Sequence, residues 1–258
     1  MNFNTGLGKR LINSSSIVLF FILWESLTRI GVMESNFIAA PSTIIVTIVR
    51  LLREENLLLH IFASLRRVLT GFALAGVIGI PTGFILGGWF KTIEKIVYPV
   101  LSFLRQFNPF TLFPVFMLLL GIGETSKMAM IFWVCIWPII FNTIAGAKET
   151  EPIFIKSSRS MGASSLTLFF KVLFPSALPF IINGLQMSCG TAFFMLIAAE
   201  MNGASNGLGW LVNNSQVNYQ VANLFAATVV ISILGLFFNN IFKIIEKAAV
   251  GWKYRGDQ

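Results

Sequence analysis

Long runs of apolar residues, separated by shorter polar stretches, dominate the chain. Six runs are long enough to cross a bilayer, for which a helix needs roughly 20 mostly apolar residues. They lie at about 15–33, 68–90, 97–121, 127–147, 176–200 and 222–245. The pattern predicts an all-α, polytopic membrane protein with about six transmembrane helices in one domain, residues 1–258.

Residues 1–63 contain two segments whose role needs a separate interpretation: the first apolar run and the segment that follows Pro41. The first run follows Lys9 and Arg10 and could be a signal peptide, but it is long and shows no clear cleavage site, so we expect a retained helix. Next, Pro41-Ser42-Thr43 has helix-start chemistry. The segment that follows is amphipathic and predicts an external interfacial helix within residues 34–63, with its polar face formed by Arg50, Arg53, Glu54 and Glu55.

Charge adds an orientation to this pattern. Only 12% of the residues are charged, against about a quarter in soluble domains, and the net charge is +8. With the N-terminus inside, 13 Lys and Arg residues lie inside and 6 outside, which accounts for all 19. The positive-inside rule then places both termini in the cytoplasm, and topology explains the net charge without a nucleic-acid partner. We expect Arg66-Arg67, on the outer side, to snorkel to lipid headgroups.

The longest polar interruption, residues 148–179, falls on the inner side. Thr150-Glu151-Pro152 predicts the start of a short helix running from Ile153 to about Met161. Gly162 can adopt the left-handed conformation that ends a helix. Ser164 or Ser165 can cap a second helix, and Pro175 and Pro179 mark the beginning of the fifth span.

This arrangement predicts a compact protrusion. It presents the apolar residues Ile153, Ile155 and Met161 beside Lys156 and Arg159. Apolar anchors rimmed by cations suit a groove on another protein. An ordinary loop that returns the chain is the alternative.

The interruption resembles the cytoplasmic loop of ABC importer permeases, whose pattern is Glu-Ala-Ala, three residues, Gly, nine residues, then Ile-x-Leu-Pro. Here the pattern falls on Lys156-Ser157-Ser158, Gly162 and Val172 to Pro175, so that Lys156 replaces an acid. Four further segments resemble the branch that imports nitrate, sulfonates and taurine: Pro41-Ser42, Ser64 to Val68, Gly121 to Glu124 and Gly207 to Gly209.

The resemblance implies a type I importer permease with a MetI-like fold, in a bacterial inner membrane. Residues 148–175 would couple it to a separate ATPase through Lys156, Ser157, Ser158, Arg159, Met161, Gly162, Ala163, Ser164 and Pro175. The implied partners are a second permease subunit in a homodimer, two cytoplasmic ATP-binding subunits that hold Mg-ATP, an external solute-binding protein and membrane lipid. Residues 121–127 lack the spacing of a phosphate-binding loop, so we expect no cofactor, metal or catalytic residue in this chain.

Polar residues inside the apolar runs are candidates for the transport pathway. The third run is interrupted by Pro99, Pro109 and Pro114, which predicts a broken helix. The pathway candidates are Arg105, Asn108, Asn183, Gln186, Ser188 and Thr191; interhelical hydrogen bonding is the alternative for those in the fifth run. The candidates for an external gate or a binding-protein contact are Glu200, Asn206, Gly207 and Gly209, with a flexible connector as the alternative.

Other functions are less consistent with the sequence. An inverted repeat or a buried acid pair would favour a secondary transporter or channel, and neither is evident in the sequence. A membrane-embedded enzyme would need clustered ionisable residues, whereas His60 is the single histidine and is expected at the interface. For Glu25 we expect a partner from a neighbouring helix or a shallow position, rather than a contact with the solute. Gly79 and Gly83 predict close helix packing, within the subunit or between two copies.

Overall fold

The structure, a computed structural model, describes residues 6–31, 37–89 and 91–250. Within these ranges the chain is all-helical and contains no β-strand. The helices are α1 Gly6–Arg29, α2 Pro41–Glu54, α3 Leu57–Phe84, α4 Lys91–Arg105, α5 Pro109–Leu120, α6 Glu124–Glu149, α7 Pro152–Ser160, α8 Ser165–Leu168, α9 Phe174–Met201, α10 Leu208–Val217 and α11 Val221–Val250. Two π-helical segments, Ile85–Trp89 and Phe169–Leu173, extend α3 and join α8 to α9.

The core of the bundle is formed by three long helices, with α6 packed between α3 and α9. Glycines allow α3 and α6 to approach closely. A Cβ added at Gly79 would lie 2.9 Å from Ile139 Cγ2, and one at Gly83 would lie 2.5 Å from Thr143 Cβ. The predicted close packing at these glycines is therefore confirmed, and it occurs within the subunit.

A second apolar cluster joins α2, α10 and α11. Helix α2 begins at Pro41, as predicted, and turns Ile44 and Leu51 toward this cluster. Glu25 of α1 accepts hydrogen bonds from the Ser42 backbone N–H at 3.0 Å and from the Ser42 hydroxyl at 2.7 Å. The expected partner from a neighbouring helix is confirmed, while the interfacial position of α2 stays a prediction.

Among the described residues, four helical segments are long and apolar enough to cross a membrane: Leu57–Gly88, Glu124–Glu149, Ser165–Met201 and Val221–Ala249. The pair α4 and α5 makes a fifth if it is counted as one span. Helix α1 covers most of the first predicted span but is not among them, and residues 32 and 33 lie outside the described residues. The chain is a multi-pass membrane protein, and the count of six spans stays a prediction.

The third predicted span is broken as expected, but at only one of its three prolines, Pro109. Pro99 and Pro114 lie inside α4 and α5, and the helix stops only over residues 106–108. The axes of the two helices differ by 94° there. Pro109 instead occupies the first turn of α5, where its missing N–H costs no hydrogen bond.

Candidate functional site

A buried network of charged and polar side chains links three helices at one end of the bundle. Arg67 of α3 is 2% exposed, and Glu200 at the last turn of α9 is fully buried. Glu124, the first residue of α6, and Asn206, just before α10, complete the surroundings of the guanidinium. We call Ser64, Arg67, Glu124, Glu200 and Asn206 the Arg67 cluster, and this end of the bundle the Glu200 end.

The guanidinium of Arg67 uses all of its five N–H donors. Two bind the Glu124 carboxylate in a bidentate pair, with Nε to Oε2 at 2.6 Å and NH2 to Oε1 at 2.8 Å. One binds Glu200 Oε1 at 2.6 Å. The remaining two reach Asn206, at 2.8 Å to its carbonyl and 2.6 Å to its side-chain oxygen. Full pairing of this kind is what permits a buried arginine.

The Glu200 carboxylate has a complete set of donors as well. Besides Arg67 it accepts a hydrogen bond from the Gly209 backbone N–H at 2.8 Å and lies 2.8 Å from the Ser64 hydroxyl. Gly209 is in the first turn of α10, where the positive end of the helix dipole favours a carboxylate. Lys127 lies 3.2 Å from Glu124, so two cations and two acids balance in charge.

The glycines before and within α10 are required by this carboxylate. Gly207 has φ +120°, and a Cβ there would lie 2.5 Å from the Glu200 carboxyl group. A Cβ at Gly209 would lie 2.7 Å from the Ile197 carbonyl. The Gly207-Leu208-Gly209 motif therefore lets the backbone close around Glu200.

These positions correct two expectations. Arg67 does not snorkel to headgroups, because acids on α6 and α9 hold it inside the bundle; Arg66 alone is exposed. Glu200, Gly207 and Gly209 are buried and cannot contact an external protein. Asn206 is half-buried against Arg67, so these four residues anchor the loop, whose exposed positions are Asn202, Gly203 and Ser205.

At the opposite end, which we call the α7 end, the polar interruption forms the predicted helix–turn–helix. Helix α7 runs from Pro152 to Ser160, and Gly162 has φ +79°. The Ser164 hydroxyl accepts a hydrogen bond from the Thr167 N–H at 3.2 Å and so caps α8. The short helix, the left-handed glycine and the serine cap are therefore confirmed.

The second helix is not a separate element, which differs from the prediction. Residues 165–201 form one continuous helical segment, so α8 is the first turn of the long helix. The π-helical segment lies directly before Pro175, with the Phe174 N–H bonded to the Phe169 carbonyl. Pro175 thus lies inside this long segment, after α8 and the π-helical turn, rather than at the beginning of the span.

Most apolar side chains on this protrusion are exposed within the described part of the chain. No residue of α7 is buried. Met161 is 80% exposed and Leu166 72%, and Ile153 is also exposed, whereas Ile155 is half-buried. Lys156, Ser157, Arg159 and Ser164 are exposed beside them, while Ser158 and Ala163 are partly covered.

At the base of the protrusion an ion pair joins α6 to α4. Lys148, in the last turn of α6, lies 2.6 Å from Glu94 Oε1 of α4, and the Glu94 side chain is 8% exposed. A cavity of about 490 Å³ lies between this pair and α7. Its lining includes Lys95, Lys156 and Arg159.

The structure divides the pathway candidates into two groups. Ser188 is fully buried and its hydroxyl donates to the Cys135 carbonyl of α6 at 2.7 Å, so it does not line a pathway. Gln186 donates to the Asn239 side chain of α11 at 3.0 Å, and the Asn108 side chain caps α5 by accepting from the Phe110 N–H at 2.9 Å. For Gln186 and Ser188 the alternative of interhelical hydrogen bonding is the better one, whereas Asn108 is an exposed helix cap at the α4–α5 break.

The other three candidates lie in or beside one cavity. Arg105 and Thr191 line a cavity of about 380 Å³, and Asn183 is exposed beside it, bonded to Asn142 at 3.0 Å. We call this space the aromatic cavity, because its walls include Phe107, Trp133, Trp137, Phe141 and Phe194.

Both sites contain residues that the sequence did not predict. In the Arg67 cluster these are Ser64 and Glu124, although both belong to segments that resembled the importer branch. In the aromatic cavity these are the α6 residues, because the apolar run at 127–147 has no feature that distinguishes it from an ordinary transmembrane helix. A signal for the cluster was available, since one cation and two acids stand at the ends of three different apolar runs.

Comparisons with known proteins agree with this architecture. Residues 79–250 match the family described as binding-protein-dependent transport system inner membrane component. A probable ABC transporter permease protein of Brucella abortus is 32% identical over 251 residues, covering 97% of this chain and 98% of that protein. SsuC, a putative aliphatic sulfonates transport permease protein of Bacillus subtilis, is 27% identical over 231 residues, with 90% and 83% covered. Further relatives are named as nitrate, taurine and bicarbonate permeases.

Among solved structures, the inward-facing MetNI methionine ABC transporter has a similar fold. The TM-score is 0.63 at 21% sequence identity, covering 75% of this chain and 95% of that one. At this identity the likeness concerns the fold alone. The expected MetI-like fold and the nitrate, sulfonate and taurine branch are both confirmed.

Proposed function

This chain belongs to the family of binding-protein-dependent transport system inner membrane components, and we propose that it is the permease subunit of an ATP-driven importer of small solutes. Its relatives are ABC permease subunits, which are transport components rather than enzymes. In this proposal two copies form one pathway in a bacterial inner membrane. Two separate cytoplasmic subunits bind Mg-ATP and hydrolyse it, and an external protein delivers the solute.

The observation that carries the proposal is the exposed protrusion at the α7 end. Helix α7 has no buried residue, and the apolar Met161 and Leu166 are exposed next to Lys156 and Arg159. A chain that folds alone gains nothing by ordering such a surface, whereas a protein groove would cover it. The proposed occupant of that contact is the ATPase subunit, which requires the α7 end and both termini to be cytoplasmic.

The Glu200 end then faces the outside. The Arg67 cluster holds both ends of the loop of residues 202–207, because Glu200 before the loop and Asn206 near its end both accept hydrogen bonds from Arg67. We assign the exposed part of this loop to the outer gate or to the surface that meets the solute-binding protein. The solute class is a small anion or related organic molecule, as the names of the relatives suggest.

A substitution in the turn of the protrusion tests the coupling role. A Cβ at Gly162 would meet nothing within 4 Å, so Gly162→Asp places a carboxylate in open space on the proposed contact surface. The variant should insert and fold but lose co-purification of the ATPase subunit and solute uptake. Gly31→Asp is a matched control, because Gly31 has a similar φ of +82° and is equally free of neighbours.

The outcomes separate the two candidate functions. Loss of ATPase co-purification for Gly162→Asp, with Gly31→Asp unchanged, supports the importer. Retained co-purification would show that α7 is not the contact. Solute uptake that continues in proteoliposomes without any ATPase subunit would instead favour a secondary transporter or channel.

A further inference from the structure

The aromatic cavity contains an arginine without a counter-ion. None of the residues that line it is an acid, and Arg105 makes no ion pair with any described residue. Its guanidinium lies 4.6 Å from the centre of the Phe141 ring. A cation over an aromatic face keeps its positive charge and its outward N–H groups available.

The depth of this arginine makes the missing counter-ion significant. Phe141 lies 8 residues from Glu149 and 17 from Glu124 along α6, which at 1.5 Å per residue is about 12 Å and about 26 Å. For a bilayer centred on α6, whose hydrocarbon core is about 30 Å thick, these distances place Phe141 and the guanidinium beside it inside that core. Arginines at that depth face a protein interior or a water-filled cavity and mark a route for polar solutes.

The backbone around Arg105 supports the same conclusion. Helix α4 ends at Arg105 and α5 begins at Pro109, with a change of direction of 94°. Non-helical backbone at membrane depth is tolerated where it is buried in protein or lines an aqueous cavity. Arg105, Phe107 and Pro109, from both sides of this break, line the aromatic cavity, so the second of these settings applies here.

The walls indicate what kind of anion fits. Five aromatic side chains surround the cavity, and Met187 and Met195 add thioethers. One of the five aromatic residues is Trp137, whose indole N–H has no hydrogen-bond partner within the described part of the chain. A volume of about 380 Å³ falls in the range of small-molecule sites, roughly 300–1,000 Å³.

We infer that the aromatic cavity is a binding site for a small organic anion with an apolar body, its charged group on Arg105 and its apolar part against the ring walls. This inference rests on the proposed function, because it places a solute site on the import pathway. An inorganic anion such as nitrate would satisfy the arginine but leave the aromatic walls without contacts. The site therefore prefers sulfonates or carboxylates that carry a hydrocarbon or aromatic group.

Binding to the purified transporter, with its ATPase subunits, tests the inference. The probe is benzenesulfonate, followed through the change in tryptophan fluorescence that is absent when Trp133 and Trp137 of the cavity wall are replaced by Phe, with nitrate and neutral benzyl alcohol as comparison compounds. We expect benzenesulfonate to bind at least tenfold more tightly than either. Arg105→Gln should weaken benzenesulfonate binding by roughly tenfold to a hundredfold, the effect of losing one charge-assisted hydrogen bond.

Two further variants guard against a folding artefact. Arg105→Lys keeps the charge and should retain most of the binding, with an unchanged size-exclusion profile. Arg66→Gln removes an exposed arginine on α3, away from the cavity, and should bind as the wild type does. Unchanged binding in Arg105→Gln, equal affinity for nitrate, or equal affinity for benzyl alcohol would each overturn the assignment.

The same preparations separate this inference from the proposed function. If benzenesulfonate binding is lost in Arg105→Gln while the ATPase subunit still co-purifies, both hold. If binding is unaffected and the ATPase co-purifies, the site is wrong and the importer stands. If the ATPase does not co-purify even with the wild type, the proposed function fails, and the same titration on the permease chain alone decides whether the cavity binds the anion.

Discussion

Replacing Glu200 by glutamine should destabilise the protein far more than the same change at an exposed position. The substitution keeps the size of the side chain but removes the negative charge. It also replaces one of the two carboxylate oxygens by an NH₂ group, so that either Arg67, which donates to Oε1, or the Gly209 N–H, which donates to Oε2, loses its acceptor. The balanced cluster of two cations and two acids then carries an uncompensated positive charge at a buried position.

The magnitude follows from the burial of the pair. Arg67 and Glu200 side chains are 2% and 0% exposed, at a distance of 2.6 Å. Removing one member of such a pair typically costs about 3–5 kcal/mol of the free energy of unfolding. Glu124 is 46% exposed and keeps its bond to Arg67, which places the expected loss toward the lower part of that range.

A double-mutant cycle isolates the pair. Arg67→Met alone leaves Glu200 charged and buried, so it should also cost several kcal/mol. Combining it with Glu200→Gln removes both charges, and the combined loss should fall short of the sum by about 0.5–3 kcal/mol. Glu54→Gln is the control, because Glu54 is exposed on α2, and it should change stability by less than about 0.5 kcal/mol.

Equilibrium unfolding in mixed detergent micelles, at increasing mole fraction of SDS, measures these free energies. Trp210 is a suitable reporter, since it stacks on His60 with ring centres 5.3 Å apart and His60 accepts a hydrogen bond from Gly207. If Glu200→Gln unfolds at the same detergent composition as Glu54→Gln, or if the two changes at the pair simply add, the cluster does not stabilise this end as described.

Two further predictions use the same preparations. Gly207→Ala should destabilise by about 1–3 kcal/mol, because φ is +120° and its Cβ would meet the Glu200 carboxyl, whereas Gly190→Ala, with nothing within 4 Å, should be neutral or slightly stabilising in the same titration. Cys135 and Cys189 are buried, so a water-soluble maleimide should label neither thiol until SDS unfolds the chain; rapid labelling of the folded protein, measured by mass spectrometry, would contradict this packing.

The features that the sequence predicted well depend on local chemistry. Gly162 ends α7 and Ser164 caps α8 because each acts on backbone groups within a few residues. The apolar runs likewise predict helices whatever their neighbours. Gly79 and Gly83 were informative because helix packing in membranes favours small residues.

The features that it did not predict depend on contacts between distant residues. Arg67 meets Glu124, Glu200 and Asn206, which are 57, 133 and 139 positions away. A pair of arginines beside an apolar run is compatible with snorkelling or with burial, and only the position of the two acids decides. The same holds for Gln186 and Ser188, whose partners lie on α11 and α6 rather than in a pathway.

The Arg67 cluster also restricts how the Glu200 end can open. It joins α3, α6 and α9, and all five guanidinium donors are occupied. Moving α9 away from α3 alone would leave Arg67 or Glu200 buried without its partner, at a cost of about 3–5 kcal/mol. We therefore expect these three helices to move as one body during transport. Rearrangement is then left to elements outside the cluster, such as α5 beyond the break that follows Arg105.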